Sequence, residues 1–531
     1  MNPRSSTEAG QAARLPPLLL FLTAGITGAL VMVVEILGAR IIGPFFGVSL
    51  FVWTALISVT LLALALGYAF GGSLADRHPT PARLYQLIAA AGLWLVLLPF
   101  FKGIVLEAMV PTGLRLGTFL AATLLFGPPL FLLGCVSPFI LRLAAIDLAR
   151  LGRTAGLLYA VSTAGSFIGS AGTGFYLLGS LGVIATLRLA GAVLILLAVA
   201  YFAGARRWRG LALLAGLLPL AWPPAHTGEA RLADGTRASI VWARDSFYGA
   251  VKVVEYRGTA MRTREMTIDG LIQGGIDAAN GQSIYEYSYL LERLPLAIHP
   301  TGQSALMVGL GAGVVPRRLA ERGIAAEVVE LDPQVLAAAR RHFGFPATIP
   351  VAIEDARTFL ARPGKIYDYL LIDVFNGDTT PGYLLSREAL QNAKARLAPD
   401  GVLAFNLIGS VDPVEGMLPS ILATLRASFR EVRIQDAGAQ AGSGNFVVLA
   451  ADRPLDFAVA PDTSAIHPLA ASVATLLNRP ALPVDSTGAH ILSDDFNPLD
   501  LRDTRLKEQV RRDLLKSTPP SILHALPGKI G

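Results

Sequence analysis

The sequence predicts an α-helical polytopic membrane domain followed by an α/β domain with a mostly parallel sheet, and two observations indicate this division. Of the 531 residues, 53% are hydrophobic and only 16% are charged, whereas globular chains carry about a quarter charged residues. The acidic residues are also unevenly distributed, since five of the 39 lie before residue 210. Because the composition changes abruptly at Glu229, we expect a lipid-embedded first part and a water-exposed second part.

Residues 1–225 are expected to form the transmembrane helical domain. A helix needs about 20 apolar residues to cross the hydrocarbon core. Six runs in the sequence reach that length, at 16–39, 50–73, 84–106, 118–141, 154–178 and 182–204. A seventh run at 210–222 is shorter and contains Pro219, so the sequence leaves open whether it crosses.

The arginine distribution predicts the orientation of these helices. If the amino terminus is cytoplasmic, ten arginines fall on the inner side and four cationic residues on the outer side. Such a bias is typical of positively charged loops that stay in the cytoplasm. We therefore expect a multi-pass protein of the cell inner membrane, in contact with the lipid bilayer, whose second part faces the cytoplasm unless the run at 210–222 crosses back.

Composition also excludes several classes of partner and site. The net charge of +6 is not accompanied by a basic stripe with interleaved aromatic residues, so no nucleic-acid partner is expected. The single cysteine, Cys135, excludes a disulfide framework and a Cys-based zinc site. The histidines lack ligand spacing, and we therefore expect no metal.

The second part divides into three regions. Residues 229–290 are predicted to form a β-hairpin unit and a lead-in helix, since short β-branched stretches are separated by Arg257-Gly258 and Asp269-Gly270. From about residue 291 to 460, strands and helices alternate, which predicts a parallel sheet with helices on both faces. Residues 461–531 form a C-terminal extension.

Glycines follow the first predicted parallel strand, where the chain turns into a helix. Gly309, Gly311 and Gly313 allow a tight turn and a close approach of a ligand to the backbone. Glu330 ends the next strand, about 20 residues later, where a carboxylate can accept both hydroxyls of a ribose. This pair fits NAD as well as S-adenosylmethionine.

Two further strand ends carry acids. Asp355, followed by Ala356, ends the third strand, where a carboxylate can accept the adenine amino group. Asp373 ends the fourth strand, Tyr369–Ile372. Because ligands of such sheets bind at the carboxyl ends of the strands, the four positions predict a Rossmann-like nucleoside-binding domain of the S-adenosylmethionine-type transferases.

The residues from about 240 to 450 resemble the spermidine synthases, which are polyamine aminopropyltransferases. The motifs that carry the resemblance are Asp269–Gln273, Tyr285–Tyr289 with Leu294–Leu296, Gly309–Gly313, Glu330–Asp332, Asp355-Ala356 and Asp373. The hydrophobic leader and the late Ser493–Pro498 resemble the membrane-fused branch of this family.

The resemblance implies a metal-free displacement in which an amine such as putrescine takes an aminopropyl group from decarboxylated S-adenosylmethionine. It implies that Asp373 is the general base and that Gln273 contributes to cofactor binding. It also implies that Tyr287 and the residue at position 376, here Asn376, contact the amine substrate, and Asp378 is a candidate to replace the missing acid through a shifted loop. The soluble relatives form dimers or tetramers, and the sequence leaves a homo-oligomer open here.

Departures from the family pattern leave other functions open. Ala312 stands where the family has an aspartate in the glycine turn, and Asn376 replaces the second aspartate of the catalytic loop. One alternative is a methyltransferase-type enzyme that uses intact S-adenosylmethionine on a membrane-associated acceptor. Another is a non-catalytic nucleoside-sensing domain that regulates the membrane half.

Overall fold

The computed structural model describes residues 16–47, 50–144, 150–206, 208–221, 228–375, 380–411, 417–439, 442–499 and 504–524. Its internal contacts divide the chain into two compact units. One unit comprises Met1–Ile42 and Phe51–Ala225, and the other comprises Gly43–Leu50 and His226–Gly531.

The chain before residue 225 is helical wherever it is described. Its helices are α1 Pro17–Phe46, α2 Leu50–Arg77, α3 Pro81–Met109, α4 Leu114–Gly134, α5 Val136–Ala144, α6 Leu151–Gly172, α7 Leu178–Leu181, α8 Val183–Gly204 and α9 Leu218–Ala221. Within the described ranges, five helical stretches are long and apolar enough to cross a membrane: Pro17–Phe46, Phe51–Arg77, Pro81–Thr112, Leu114–Ala144 and Val183–Gly204.

The predicted run at 154–178 differs from these five. It folds as α6, a π-helical turn at Thr173–Leu177, and the start of α7. Many of its residues are Gly, Ala, Ser or Thr, which makes it less apolar than the other runs. The run at 210–222 contains the short apolar helix Ala212–Ala221, which is shorter than the about 20 residues that a crossing needs.

Small residues bring α1 and α6 into close contact. A methyl group on Gly165 would overlap the backbone of Gly25, and one on Gly169 would overlap that of Ala29. The hydroxyl of Ser166 donates to the carbonyl of Gly28 at 3.0 Å. Close backbone approach through small residues is how helices associate in lipid, where burial of apolar surface provides no driving force.

An antiparallel sheet begins the second unit. Its strands, in spatial and chain order, are β1 Glu229–Arg231, β2 Arg237–Asp245, β3 Ala250–Arg257, β4 Arg262–Ile268 and β5 Leu271–Asp277. Asp269 and Gly270 form the two-residue turn between β4 and β5, with φ angles of 47° and 86°. Positive φ at both turn residues matches the right-handed twist of a hairpin, which explains the Asp-Gly pair.

A larger, mostly parallel sheet follows. Its strands are β6 Ser304–Val308, β7 Ala325–Glu330, β8 Val351–Ile353, β9 Tyr367–Ile372, β10 Leu397–Ser410, β11 Glu431–Asp436 and β12 Ser443–Ala451. Their spatial order is β11-β12-β10-β9-β6-β7-β8, and β12 pairs antiparallel to both of its neighbours. This is the Rossmann-like α/β architecture that the strand and helix alternation predicts.

Helices α10 Glu286–Ile298, α11 Val314–Glu321, α12 Pro333–His342, α13 Ala356–Ala361, α14 Arg387–Lys394 and α15 Leu418–Ser428 belong to this α/β region, and α16 Val473–Leu477, α17 Thr504–Ser517 and α18 Pro520–His524 follow it. Apolar clusters cover both faces of the sheet. Ala305 and Met307 belong to one cluster and Leu306 and Val308 to the other, because successive strand residues point to opposite faces.

The strand order creates a crevice at the carboxyl end of β6. From β6 the chain proceeds outward to β7 and β8 and then returns to β9 on the other side. Such a reversal of strand order separates the loops that leave the two central strands and is where ligands of open α/β sheets bind. Gly309 and Asp373 follow β6 and β9 directly, so they flank this crevice.

Candidate active site

The glycine turn lies against the neighbouring loops at the crevice. Gly309, Gly311 and Gly313 have φ angles of 88°, 51° and 71°, which residues with a side chain rarely adopt. A methyl group on Gly309 would overlap the carbonyl oxygen of Asp373, and one on Gly311 would overlap that of Gln273. The turn therefore brings the predicted cofactor residue Gln273 and the predicted base Asp373 to the same crevice.

Glu330 joins the glycine turn to the end of β7. One carboxylate oxygen accepts the backbone N–H of Leu310 at 2.9 Å, and the other accepts that of Asp332 at 2.8 Å. Burial raises the pKa of this carboxyl, while these backbone N–H groups oppose the shift. Since each oxygen keeps a free lone pair, the carboxylate can still accept two hydroxyls of a ribose.

Asp355 lies beside Glu330, because the backbone N–H of Glu354 donates to the Glu330 carbonyl at 3.0 Å. Asp355 caps α13, where one carboxylate oxygen accepts the N–H and the hydroxyl of Thr358 at 2.9 and 3.0 Å. The buried Ala356 begins that helix. Asp355 also interacts with the Tyr383 hydroxyl, and a carboxylate with about four acceptor positions keeps room for a further donor such as an amino group.

A line of amides reaches Asp373 from the neighbouring strands. The side-chain amide of Asn406 on β10 donates to Asp373 at 2.8 Å, and that of Asn445 on β12 donates to the Asn406 oxygen at 3.0 Å. Burial raises the pKa of Asp373 to about 6, and the bond from Asn406 lowers it. A carboxylate with a pKa near neutrality suits a general base.

Asn406 gives a first prediction. Replacing it with alanine removes a donor that stabilises ionised Asp373, so the pKa of Asp373 should rise above about 6. We expect the acid limb of the kcat/KM profile to move to higher pH. Asn445→Ala is the matched control, since Asn445 reaches Asp373 only through Asn406, and a smaller displacement is expected. An unchanged acid limb in Asn406→Ala would contradict this role.

Tyrosines form the wall opposite Asp373. Tyr287 lies close enough to Asp373 for the carboxylate to raise its pKa, after burial as the main cause. Its ring stacks on that of Tyr285, with centroids 6.3 Å apart. The Tyr285 hydroxyl donates to Glu265 at 2.5 Å. The predicted amine-binding position of Tyr287 is therefore next to the candidate base, while Asn376 and Asp378 lie outside the described residues.

His467 holds local structure. His467 is 1% exposed, accepts the N–H of Leu469 at 3.1 Å and lies 3.2 Å from Asp277. Within the described ranges, no group of three His, Cys, Asp or Glu side chains is arranged to hold a metal ion.

Sequence comparison identifies the family to which this site belongs. The chain is 30% identical over 225 residues to the polyamine aminopropyltransferase of Vibrio vulnificus, an alignment that covers 39% of this chain and 72% of that enzyme. This chain belongs to the polyamine aminopropyltransferase family. It is accordingly a transferase.

The chain is also similar to a methyltransferase and to a solved spermidine synthase. The chain is 37% identical over 147 residues to an N-terminal histidine N-methyltransferase of Emericella nidulans, and the aligned part is 26% of each protein. Among solved structures, the spermidine synthase of Thermotoga maritima aligns with a TM-score of 0.34 and 16% identity, over 41% of this chain and 74% of that one. No protein-family model matches the sequence.

Ala312 is the point at which the glycine turn departs from the aminopropyltransferase pattern, which has an aspartate at this position. The residue is 4% exposed, and its methyl group faces Gly274, where an added methyl carbon would lie 3.1 Å from it. Ala312 thus packs the glycine turn against β5. An apolar contact stands where the family resemblance predicts an acid.

Sequence reasoning missed Asn406 and Asn445. The sequence signal for Asn406 is a lone amide inside the apolar run Val402–Ile408, where a buried polar group needs a hydrogen-bonding partner. Asn406 is fully buried. Its partner could not be identified from the run itself, because Asp373 lies on a different strand.

Proposed function

We propose that the α/β domain transfers an aminopropyl group from decarboxylated S-adenosylmethionine to a small amine acceptor such as putrescine. The observation that carries this proposal is the carboxylate of Asp373. It lies in the crevice beside the glycine turn, has a pKa near 6, accepts a hydrogen bond from Asn406 and is close to Tyr287.

The donor would occupy the crevice from Asp355 to Asp373. Glu330 would accept the ribose hydroxyls and Asp355 the adenine amino group, while the glycine turn leaves room for the sulfonium next to its backbone. Fixing donor and acceptor in line contributes to the rate by removing the entropic cost of their encounter.

The reaction is a single displacement. The lone pair of the acceptor nitrogen attacks the carbon next to the sulfonium, the carbon–sulfur bond breaks and its electrons stay on sulfur, so that methylthioadenosine leaves. Free alkyl amines are protonated at pH 7. Asp373, ionised at that pH, takes the proton that the nitrogen must lose, and Asn406 holds the carboxylate in place.

The charge of the crevice favours the decarboxylated donor. Glu330, Asp355 and Asp373 are all acidic and attract the sulfonium and the ammonium group of the aminopropyl chain. Intact S-adenosylmethionine would add a carboxylate near Asp373, and the two negative charges would repel each other.

Methyl transfer from intact S-adenosylmethionine is the second candidate. Two observations favour it: the similarity to a histidine N-methyltransferase, and the apolar Ala312 packed where an acid would hold an aminopropyl ammonium.

The nucleoside product distinguishes these functions. Full-length protein is incubated with putrescine and either donor, and the products are identified by mass. We expect methylthioadenosine from the decarboxylated donor. S-adenosylhomocysteine from the intact donor would instead establish methyl transfer, and binding without any product would refute aminopropyl transfer to putrescine.

We further propose that the helical unit spans the inner membrane, as in a membrane-fused aminopropyltransferase. The large apolar side chains on α6 and the following turn support this, since Phe167 is 74% and Phe175 84% exposed, and lipid would cover them. The arginine bias supports a cytoplasmic transferase domain.

Reporter fusions test this topology. A cytoplasm-active reporter fused after residue 225 should be active and a periplasm-active one inactive. Matched fusions after residue 204 mark the side of the chain before the run 210–222. Opposite sides for the two positions would show that this run crosses, and would place the transferase domain outside the cytoplasm.

A further inference from the structure

The C-terminal extension is bonded to the loop that precedes α14. The side-chain amide of Asn497 donates to the carbonyl of Gly382 at 2.7 Å. The backbone N–H of Asp494 donates to Glu388 at 3.1 Å, and that of Arg387 donates to the carbonyl of Leu492 at 2.8 Å. Segment 492–497 therefore fixes both ends of the short stretch 382–388.

Arg357 connects this stretch to the nucleoside crevice. It follows Asp355 on α13, and its guanidinium donates to the carbonyl of Tyr383 and, at 3.1 Å, to the hydroxyl of Ser386. The same guanidinium pairs with Asp494. Its side chain is only 24% exposed, so the ion pair is partly shielded from solvent.

These contacts hold Tyr383 at the adenine end of the crevice. Its hydroxyl lies beside the Asp355 carboxylate, which together with burial, the larger cause, raises the tyrosine pKa to about 12. The residue is 42% exposed. Its backbone is thus anchored from two sides while an aromatic surface stays open next to the residue proposed to bind adenine.

We propose that Tyr383 is a nucleoside-binding residue whose ring packs on the adenine, and that Asp494 and Asn497 of the C-terminal extension are positioning residues that hold it there. The inference rests on the proposed nucleoside function of the crevice. A carboxylate offers about four acceptor positions, so Asp355 can accept Thr358, the Tyr383 hydroxyl and the adenine amino group together.

The arrangement gives the C-terminal extension a part in donor binding. Stacking against a tyrosine ring depends on the plane of the ring, which follows from the backbone at residues 382 and 383. Asn497 donates a hydrogen bond to the carbonyl of Gly382, and Arg357 donates one to the carbonyl of Tyr383. Loss of either contact should therefore weaken adenine binding without altering Asp373.

Calorimetric titration of full-length protein with methylthioadenosine tests the proposal. A base stacked on an aromatic side chain contributes about tenfold to a hundredfold in affinity, so Tyr383→Ala should weaken binding by that factor and Tyr383→Phe by less than about threefold. Asp494→Ala should weaken it several-fold in the wild-type background but have no further effect in Tyr383→Ala.

Arg479→Gln is the matched control. The Arg479 guanidinium pairs with Asp436 at 2.7 Å and thus also ties the C-terminal extension to the sheet, but at β11. We expect wild-type affinity from it. Equal affinity of Tyr383→Ala and wild type, or an equal loss in Tyr383→Phe and Tyr383→Ala, would overturn the role of the ring. Additive losses for Asp494→Ala would overturn its action through Tyr383. Absence of nucleoside binding by the wild type would instead refute the proposed function.

Discussion

Asp373→Asn is expected to lower turnover at least about 100-fold, within the range that general base catalysis contributes, and to leave nucleoside affinity within a few-fold of wild type. The amide cannot accept the proton of the attacking amine, yet it has nearly the same shape, so the glycine turn beside it is preserved. Steady-state kinetics and methylthioadenosine titration measure the two effects separately.

The pH dependence of the wild-type enzyme belongs to the same prediction. Asp373 has a raised pKa of about 6, so it is ionised above that pH and protonated below it. We expect kcat/KM to fall as the pH drops through about 6, and Asp373→Asn to lose this limb.

Asp368→Asn is the control on the same strand. Asp368 lies at the opposite end of β9 and accepts the backbone N–H groups of Gln303 and Ser304, each at 2.9 Å. Its replacement is expected to affect stability and to leave the pH profile unchanged. Unaltered turnover in Asp373→Asn would remove this residue as the base.

Glu330→Gln is expected to weaken methylthioadenosine binding by about 100-fold or more, since hydrogen bonds to a charged group contribute about 1.5–3 kcal/mol each. The Glu330 carboxylate accepts the backbone N–H groups of Leu310 and Asp332, one on each oxygen. In the glutamine variant, the side-chain NH2 group faces one of these donors, so that hydrogen bond is lost. The glycine turn should therefore loosen and the melting temperature fall.

Glu354→Gln provides the comparison for this variant. Glu354 directly follows β8, but its side chain pairs with Arg362 on the domain surface. We expect near wild-type affinity and stability from it. Equal nucleoside affinity in Glu330→Gln and Glu354→Gln would show that the carboxylate at 330 does not bind the ribose.

The clustering of the residues proposed to bind the nucleoside could be predicted because it depends on local pattern. Glu330 and Asp373 each end a short apolar strand, and Gly309 follows another. In a parallel sheet, the carboxyl ends of strands meet at one edge. Knowing the strand limits was therefore enough to bring these residues together.

The contacts of Asn406, Asn445 and Tyr383 could not be predicted, because they depend on which strands and segments are neighbours in space, and no local sequence pattern contains that information. Asn406 contacts Asp373 because β10 lies next to β9, and Asn445 contacts Asn406 because β12 inserts between β10 and β11. Tyr383 is placed by a C-terminal segment more than a hundred residues later in the chain. Such pairings follow from the topology of the whole domain.

Asp373 directly follows β9, and Asn406 and Asn445 lie on β10 and β12, the next two strands in the sheet, although β11 separates β10 from β12 along the chain. Because domains emerge from the ribosome amino terminus first, Glu330, Asp355 and Asp373 are synthesised before β12 can complete the amide line and before segment 492–497 can hold Tyr383. A nascent or truncated chain that ends ahead of β12 would thus lack both the amide line beside Asp373 and the segment that holds Tyr383. Competence for turnover is acquired last during biogenesis.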